Sequence, residues 1–206
     1  MLSAHVLNRR AALAALAGAL VPTLAFSGEP MRPVEREAIA AYLNTLDPGV
    51  MSPKKLIIEE VTADTGFAFV GVDGAERETL RKEMPQATER VIDDFLRVLA
   101  KASPLQIPSH LVRRNVRFQM VQVEDIDRLF DATKNLGLSW ESFYKAYPDA
   151  AGLVRISRAG IDEAASQALF FMSLSYGGLR GTGYFVLLHR PLGVWRVLAT
   201  EQAWIS

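Results

Sequence analysis

The sequence contains no cysteine and very little histidine. Of its 206 residues none is Cys and three are His. A chain without thiols forms no disulfide and offers no thiolate for catalysis or metal binding. His110 and His189 are the histidines beyond residue 27, and neither belongs to an HExxH or HxH pattern. We therefore expect no metal site, no cofactor and no thiol chemistry.

An excess of either charge is also missing. Lys and Arg together number 23, Asp and Glu together number 23, and the first 27 residues hold two of the basic residues and none of the acidic ones. A nucleic acid or an anionic membrane surface attracts a protein through a pronounced positive excess. The even balance of charge argues against both kinds of partner.

The sequence lacks the patterns that are typical of catalytic sites. Asp93-Asp94 and Glu59-Glu60 are adjacent pairs, and adjacent side chains diverge on a helix or strand, so we interpret both pairs as solvated charge. Ser173 lacks the Gly-x-Ser-x-Gly turn of a nucleophile elbow. The glycine-rich run from Tyr176 to Gly183 lacks the Lys-Ser/Thr ending of a phosphate-binding loop. These absences favour a non-catalytic protein over an enzyme and leave the choice open.

The first 27 residues have the organisation of a cleavable signal peptide. Arg9-Arg10 precedes an alanine- and leucine-rich run, and Ala25-Phe26-Ser27 supplies the small residues of a cleavage site. We expect cleavage near Ser27, a periplasmic or secreted protein, no membrane span after cleavage, and a single domain over residues 28–206. Both export routes remain open: the arginine pair fits a twin-arginine signal, but Ala12 stands where such signals usually have Leu or an aromatic residue.

The C-terminal third predicts a four-strand antiparallel meander. Runs of aliphatic and aromatic residues alternate there with short breaks that contain Gly or Pro. The run from Tyr184 to Leu188 is apolar on both parities, which is typical of a strand covered on two sides. The predicted strands are 154–157, 167–175, 184–189 and 194–205.

The N-terminal half mixes helical and strand patterns. In the helix predicted at 85–100, Val91, Phe95 and Leu99 share one face, which we expect to pack on the sheet, while Asp94 and Arg97 are expected in solvent. The other predicted helices are 33–46, 75–84, 124–134 and 139–146, and the other predicted strands are 56–62, 67–72 and 116–123.

These patterns together predict one α+β domain. We expect a curved, mainly antiparallel sheet, built on the C-terminal four-strand meander, with helices packed on one face. A cystatin-like or nuclear-transport-factor-like arrangement is the nearest named architecture, by analogy of fold alone.

A resemblance covers residues 143–206. FYKAYPDAAGLVRISRAG, the strand containing QAL, the loop YGGLRGTGYFVLL and the closing GVWRV and WIS resemble a widespread group of uncharacterised exported bacterial proteins. Members often have cysteines where this chain has Tyr176 and Arg180, so a thiol or disulfide role is not carried over. The resemblance implies a domain type and export, and it implies no activity.

The glycine-rich loop is the candidate interaction site. It has four glycines among the eight residues 176–183, and glycine readily adopts positive φ. It presents Tyr176, Leu179 and Arg180, which are an aromatic, an aliphatic and a planar cationic side chain at the expected end of a hairpin. The leading hypothesis is therefore an exported, non-catalytic protein that binds a protein or a cell-envelope component, with an unknown oligomeric state.

An alternative hypothesis comes from another class. A curved sheet often encloses a cavity, and Tyr184, Trp195 and Glu201 are the candidate residues to line it. The protein would then be a small enzyme or a ligand carrier. A carboxyl group of raised pKa inside an enclosed pocket would favour this alternative, whereas a filled core would favour the binding protein.

Overall fold

The computed structural model describes residues 29–46, 55–72, 74–130, 135–164, 166–178 and 180–206. The predicted signal peptide, Met1 to Ser27, and Leu179 of the candidate loop lie outside these residues. Within the described ranges, no helix is long and apolar enough to cross a membrane.

Six helices and seven strands follow one another along the described chain. They are α1 (Pro33–Leu43), β1 (Lys55–Glu59), α2 (Thr65–Ala68), α3 (Glu76–Glu83), α4 (Glu89–Leu99), β2 (Phe118–Val121), α5 (Val123–Leu129), α6 (Leu136–Ala146), β3 (Ala150–Ile156), β4 (Gly160–Asp162), β5 (Gln167–Gly177), β6 (Arg180–His189) and β7 (Arg196–Ile205), with short 3₁₀ turns at Ser109–Leu111 and Pro191–Gly193.

The strands form one mixed, mainly antiparallel sheet in the order β2-β1-β3-β5-β6-β7. β3, β5, β6 and β7 pair antiparallel, as the predicted meander requires. β1 pairs parallel with both β2 and β3, and the short strand β4, which the sequence did not predict, pairs with β5. The α+β class and the curved, mostly antiparallel sheet are confirmed.

Helices cover both faces of the sheet, so the prediction of one covered face is wrong. Phe170 belongs to the apolar cluster beneath α1. Its neighbours in β5, Leu169 and Phe171, belong to the cluster beneath α3 and α4. Successive side chains of a strand point to opposite faces, so α1 lies opposite α4. A third cluster joins α6 to β1 and β3 through Phe143 and Leu153. The physical reason is composition: β5 and β6 are apolar on both parities and need cover on both sides.

Helix α4 packs as predicted through Val91, Phe95 and Leu99, all fully buried. Its start is later than predicted because Thr88, not Pro85, begins it: the Thr88 side chain accepts a hydrogen bond from the Val91 amide. Gly160 of β4 lets helix and strand approach closely, since a Cβ there would lie 2.3 Å from the Phe95 nitrogen.

One polar side chain that was expected in solvent, Asp94, has a structural role. Asp94 of α4 accepts hydrogen bonds from Arg32 at 2.6 Å and from the Ile161 amide at 2.8 Å. Those bonds and the contact with Arg97 lower the pKa of Asp94 although burial opposes the change. Beside it, Arg158 and Glu35 are buried and paired, and Arg158 also donates to the Glu29 carbonyl oxygen at 2.9 Å.

The strand predicted at 67–72 is wrong. Residues Thr65–Ala68 form the short helix α2, which begins where the Asp64 side chain accepts a hydrogen bond from the Gly66 amide at 3.0 Å. This Asp-x-Gly capping pattern competes locally with an extended chain. Likewise α6 begins after Asn135, whose side chain caps it, and Ser139, where this helix was predicted to begin, is buried inside it.

Candidate functional site

The candidate interaction loop is much shorter than predicted. β5 continues to Gly177 and β6 begins at Arg180, and these two residues pair. Tyr176 is 42% exposed, its carbonyl oxygen accepts a hydrogen bond from Tyr144 Oη at 3.0 Å, and Arg180 is exposed. Tyr176 and Arg180 are thus strand residues at the end of the β5–β6 hairpin.

The glycines of this hairpin have a different role from the predicted one. None of the four, Gly177, Gly178, Gly181 and Gly183, has a positive φ angle. Gly183 instead makes room for an indole, since a Cβ there would lie 2.5 Å from Trp204 Nε1 and 2.8 Å from the Phe171 ring. At Gly183 the requirement is space for packing rather than a strained backbone.

The three candidate pocket residues do not share one pocket. Tyr184 and Trp195 pack against the apolar cluster on the α1 face. Glu201 pairs with Phe185, which belongs to the cluster on the α4 face. Residues opposite one another in an antiparallel pair point to the same face, so Glu201 points away from Tyr184. The prediction of a shared pocket is therefore wrong for Glu201.

Tyr42 of α1, and not Glu201, is the polar side chain close to Tyr184. Its ring packs edge-on against Phe170 with the centroids 5.4 Å apart. Burial raises the pKa of Tyr42, and the nearby Tyr184 raises it further. Tyr42, Tyr184 and Trp195 thus all pack against the apolar cluster on the α1 face, and Glu201 is not among them.

Trp195 carries a polar group that the fold does not use. The Arg190 guanidinium lies over its ring, 5.0 Å from the centroid, and Arg190 Nη1 is 3.7 Å from Glu37 Oε2. The indole Nε1 of Trp195 is buried, and no group of the described chain accepts a hydrogen bond from it. An unsatisfied buried donor costs about 1–3 kcal/mol.

The β6–β7 turn, residues 190–195, exposes apolar side chains directly beside this indole. Leu192 is completely exposed, at 103% of its reference area, and its φ angle is +54°. Pro191 begins the turn and Gly193 follows with φ +82°, which fixes a tight reversal. Val194, at 58% exposure, extends the same apolar surface toward β7.

A second polar feature, which the sequence interpretation missed, lies at the end of β1. Arg155 Nε is 2.9 Å from Glu59 Oε2, Arg155 Nη2 is 2.6 Å from Glu59 Oε1, and the Phe67 ring lies 4.5 Å from the guanidinium. Glu59 is only 6% exposed. Burial raises its pKa, Arg155 opposes the rise, and the Asp127 carboxylate adds to it. Arg155 inside the apolar run of β3 was the available signal, since a buried strand cation requires a partner.

Elsewhere in the described part of the chain, few groups are suited to metal binding or catalysis. Within the described ranges no group of His, Asp and Glu side chains could hold a metal ion. His189 ends β6 opposite Arg196, and His110 is exposed in the first 3₁₀ turn. An open surface cavity of about 460 Å³ lies at the start of α4, away from Glu59, and is lined by Thr88, Glu89, Arg90, Asp162 and Ala164.

Comparisons with protein-family models, curated proteins and solved structures found no match to this chain.

Proposed function

We propose that this is an exported, non-catalytic protein that binds a protein or a cell-envelope component through the β6–β7 turn. The observation that supports the proposal is that Leu192 is fully exposed and has a left-handed backbone conformation. A left-handed conformation costs a non-glycine residue about 1–3 kcal/mol, and a fully exposed Leu recovers nothing through burial. Leu192 therefore destabilises the free protein, and we infer that its side chain contributes favourably in a complex.

The neighbourhood of Leu192 supports the same proposal. The unsatisfied Trp195 Nε1 is a second cost at the same turn. Arg190 and Trp195 at this turn are of residue types that are enriched at protein interfaces. We therefore place the interaction surface at the β6–β7 turn, and we retain Tyr176 and Arg180 as a second exposed edge.

The polar core supports a non-catalytic protein. Within the described chain, the buried carboxylates Glu35 and Glu59 and the largely buried Asp94 each form an ion pair with arginine. In each pair a guanidinium group donates hydrogen bonds to the carboxylate oxygens. These pairs favour structure over acid or base catalysis.

Export remains part of the proposal because of the predicted signal peptide. Cleavage after Ser27 would keep Glu29 and Pro30 in the mature chain. The carbonyl oxygens of these two residues accept hydrogen bonds from Arg158. The core would then be complete in the mature chain.

The experiment uses cross-linking in the periplasm. It compares the amount of partner that is captured by wild-type protein with the amount captured by Leu192→Asn. Asn tolerates left-handed backbone, so the melting temperature should stay the same or rise. Truncation of an interface anchor commonly costs about 2 kcal/mol, so capture should fall about thirtyfold. Val70→Asn is the matched control, because Val70 is also exposed, at 63%. Full capture by Leu192→Asn, or equal loss in both variants, would contradict the proposal.

The alternative, a small enzyme or ligand carrier, rests on the raised pKa of Glu59. The open cavity at Thr88 and Asp162 lies elsewhere, so the titrating carboxyl and that cavity do not coincide. A ligand that stabilises wild-type protein but not Glu59→Gln would favour this alternative.

A further inference from the structure

The even overall charge of the chain hides a local positive excess. Lys55 begins β1, and the amide of the next residue, Leu56, donates at 2.9 Å to the carbonyl oxygen of Arg117, just before β2. Arg113 and Arg114 precede Arg117 in the same loop. We call Lys55, Arg113, Arg114 and Arg117 the arginine patch; it lies at the start of the parallel strands, away from the β6–β7 turn.

The backbone of the patch is held in place. Asn44, at the end of α1, donates from Nδ2 to the Leu111 carbonyl oxygen at 2.9 Å and accepts from the Arg113 amide at 2.7 Å. The Val116 amide donates to the Arg113 carbonyl oxygen at 3.0 Å, closing a turn. Val112 is buried and Val116 packs on the core. The two arginines therefore project from a fixed turn, which lowers the entropic cost of binding.

Two cations of this patch, Arg113 and Arg114, are not paired with a carboxylate of the described chain. Arg113 and Arg114 are exposed, and within the described chain neither side chain has an ion-pair partner. Of the other two cations, Lys55 Nζ donates to the neutral Gln119 side chain at 2.7 Å, and Arg117 is paired with Asp149, with Nη2 3.4 Å from Oδ2. Unlike Arg113 and Arg114, the arginines Arg77, Arg81 and Arg97 of α3 and α4 are paired with carboxylates.

We propose that the arginine patch binds clustered phosphate groups. Guanidinium groups match phosphate oxygens in a bidentate geometry, and several cations on one fixed surface favour a ligand with several negative charges. This site is separate from the β6–β7 turn, so either proposal can fail alone. Phosphates of a soluble polyphosphate chain and phosphates of lipid headgroups offer the same chemistry, and the test separates the two sources.

The experiment uses the purified mature chain and two probes. One probe is inorganic polyphosphate, and the other is vesicles of phosphatidylglycerol with phosphatidylcholine vesicles as the neutral reference. Affinity is measured over a range of salt concentrations, because phosphate contacts make binding salt-dependent. The test variant is Arg113→Glu/Arg114→Glu. The matched control is Arg90→Glu/Lys101→Glu, which makes the same change in net charge at two other exposed basic residues.

We expect the test variant to bind at least about tenfold more weakly than wild type. The slope of log affinity against log salt should fall by about two, one for each lost phosphate contact. Loss with polyphosphate assigns a soluble ligand, and loss with phosphatidylglycerol vesicles assigns a lipid surface. Equal weakening in the control variant, or no binding of either probe by wild type, would overturn the proposal.

Discussion

Arg158 and Glu35 form a bidentate ion pair inside the protein. Arg158 Nε is 3.0 Å from Glu35 Oε2 and Arg158 Nη2 is 2.7 Å from Glu35 Oε1, with the two side chains 4% and 0% exposed. Arg32 also contacts Glu35, and it links the pair to Asp94 of α4. The pair thus joins α1 to the turn between β3 and β4, two segments that are 123 residues apart.

Removal of one partner of this pair should strongly destabilise the fold. Arg158→Met leaves the Glu35 carboxylate buried with less compensation, so the free energy of unfolding should fall by about 3–5 kcal/mol. Replacement of both residues by Met should recover part of the loss, because no buried charge is then left unpaired. Urea unfolding of the three variants measures this. Arg81→Met, in an exposed pair with Glu89, is the control and should change little. A double variant no more stable than Arg158→Met would contradict the explanation.

The residues just after the predicted cleavage site should also be required for stability. Met31 is 4% exposed, and the carbonyl groups of Glu29 and Pro30 accept hydrogen bonds from Arg158. A chain that begins at Pro33 should therefore be less stable than one that begins at residue 28, by roughly 3 kcal/mol or more. Urea unfolding compares the two chains, and the intact mass of exported protein shows which one the cell makes. Equal stability would mean that the segment is dispensable.

The antiparallel half of the sheet was predictable because its contacts are local in sequence. β5, β6 and β7 follow one another through short turns, and apolar runs with Gly and Pro breaks are sufficient to indicate such a meander. The parallel pairing of β1 with β2 and β3 was not predictable, since intervening helices separate the strands and no local pattern records which strand is the neighbour. For the same reason, the sequence did not predict that α1 packs on the face of the sheet opposite α4.

The polar residues were harder to predict than the apolar ones. A charge has no sequence pattern that names its partner, and Glu59 and Arg155 are 96 residues apart. The general rule that adjacent acidic residues are solvated therefore failed at Glu59 and Asp94. Because the rule concerns acidic residues alone, it gave no information on Arg158. The candidate loop shows the same limit: its glycines were visible, but the Trp204 ring that requires Gly183 was not.

The glycines of the β5–β6 hairpin give a direct test of this packing. Gly183→Ala should be destabilising by about 1–3 kcal/mol, because the new methyl group would overlap Trp204 and Phe171. Gly178→Ala is the matched control, since no atom lies within 4 Å of its added Cβ and its φ is not positive. That change should be neutral or slightly stabilising. Thermal unfolding of both variants decides the matter, and similar losses would show that the glycines act through backbone freedom instead.

The raised pKa of Glu59 predicts how stability depends on pH. Burial favours the protonated carboxyl, so the folded pKa lies above the reference value of 4.5 even with Arg155 nearby. A group whose pKa is raised by folding contributes stability below its unfolded pKa and loses that contribution as pH rises through the folded value. Glu59→Gln cannot titrate, so it should remove a decline in stability that wild-type protein shows above pH 4.5. Asp94 titrates in the opposite sense, and its stabilising effect is lost as pH falls below 3.8, outside this window. Urea unfolding at mildly acidic and at neutral pH measures the difference between the two proteins. If the difference is the same at both pH values, the Arg155 guanidinium fully compensates the burial of Glu59, and the pair is a structural ion pair without a proton to exchange.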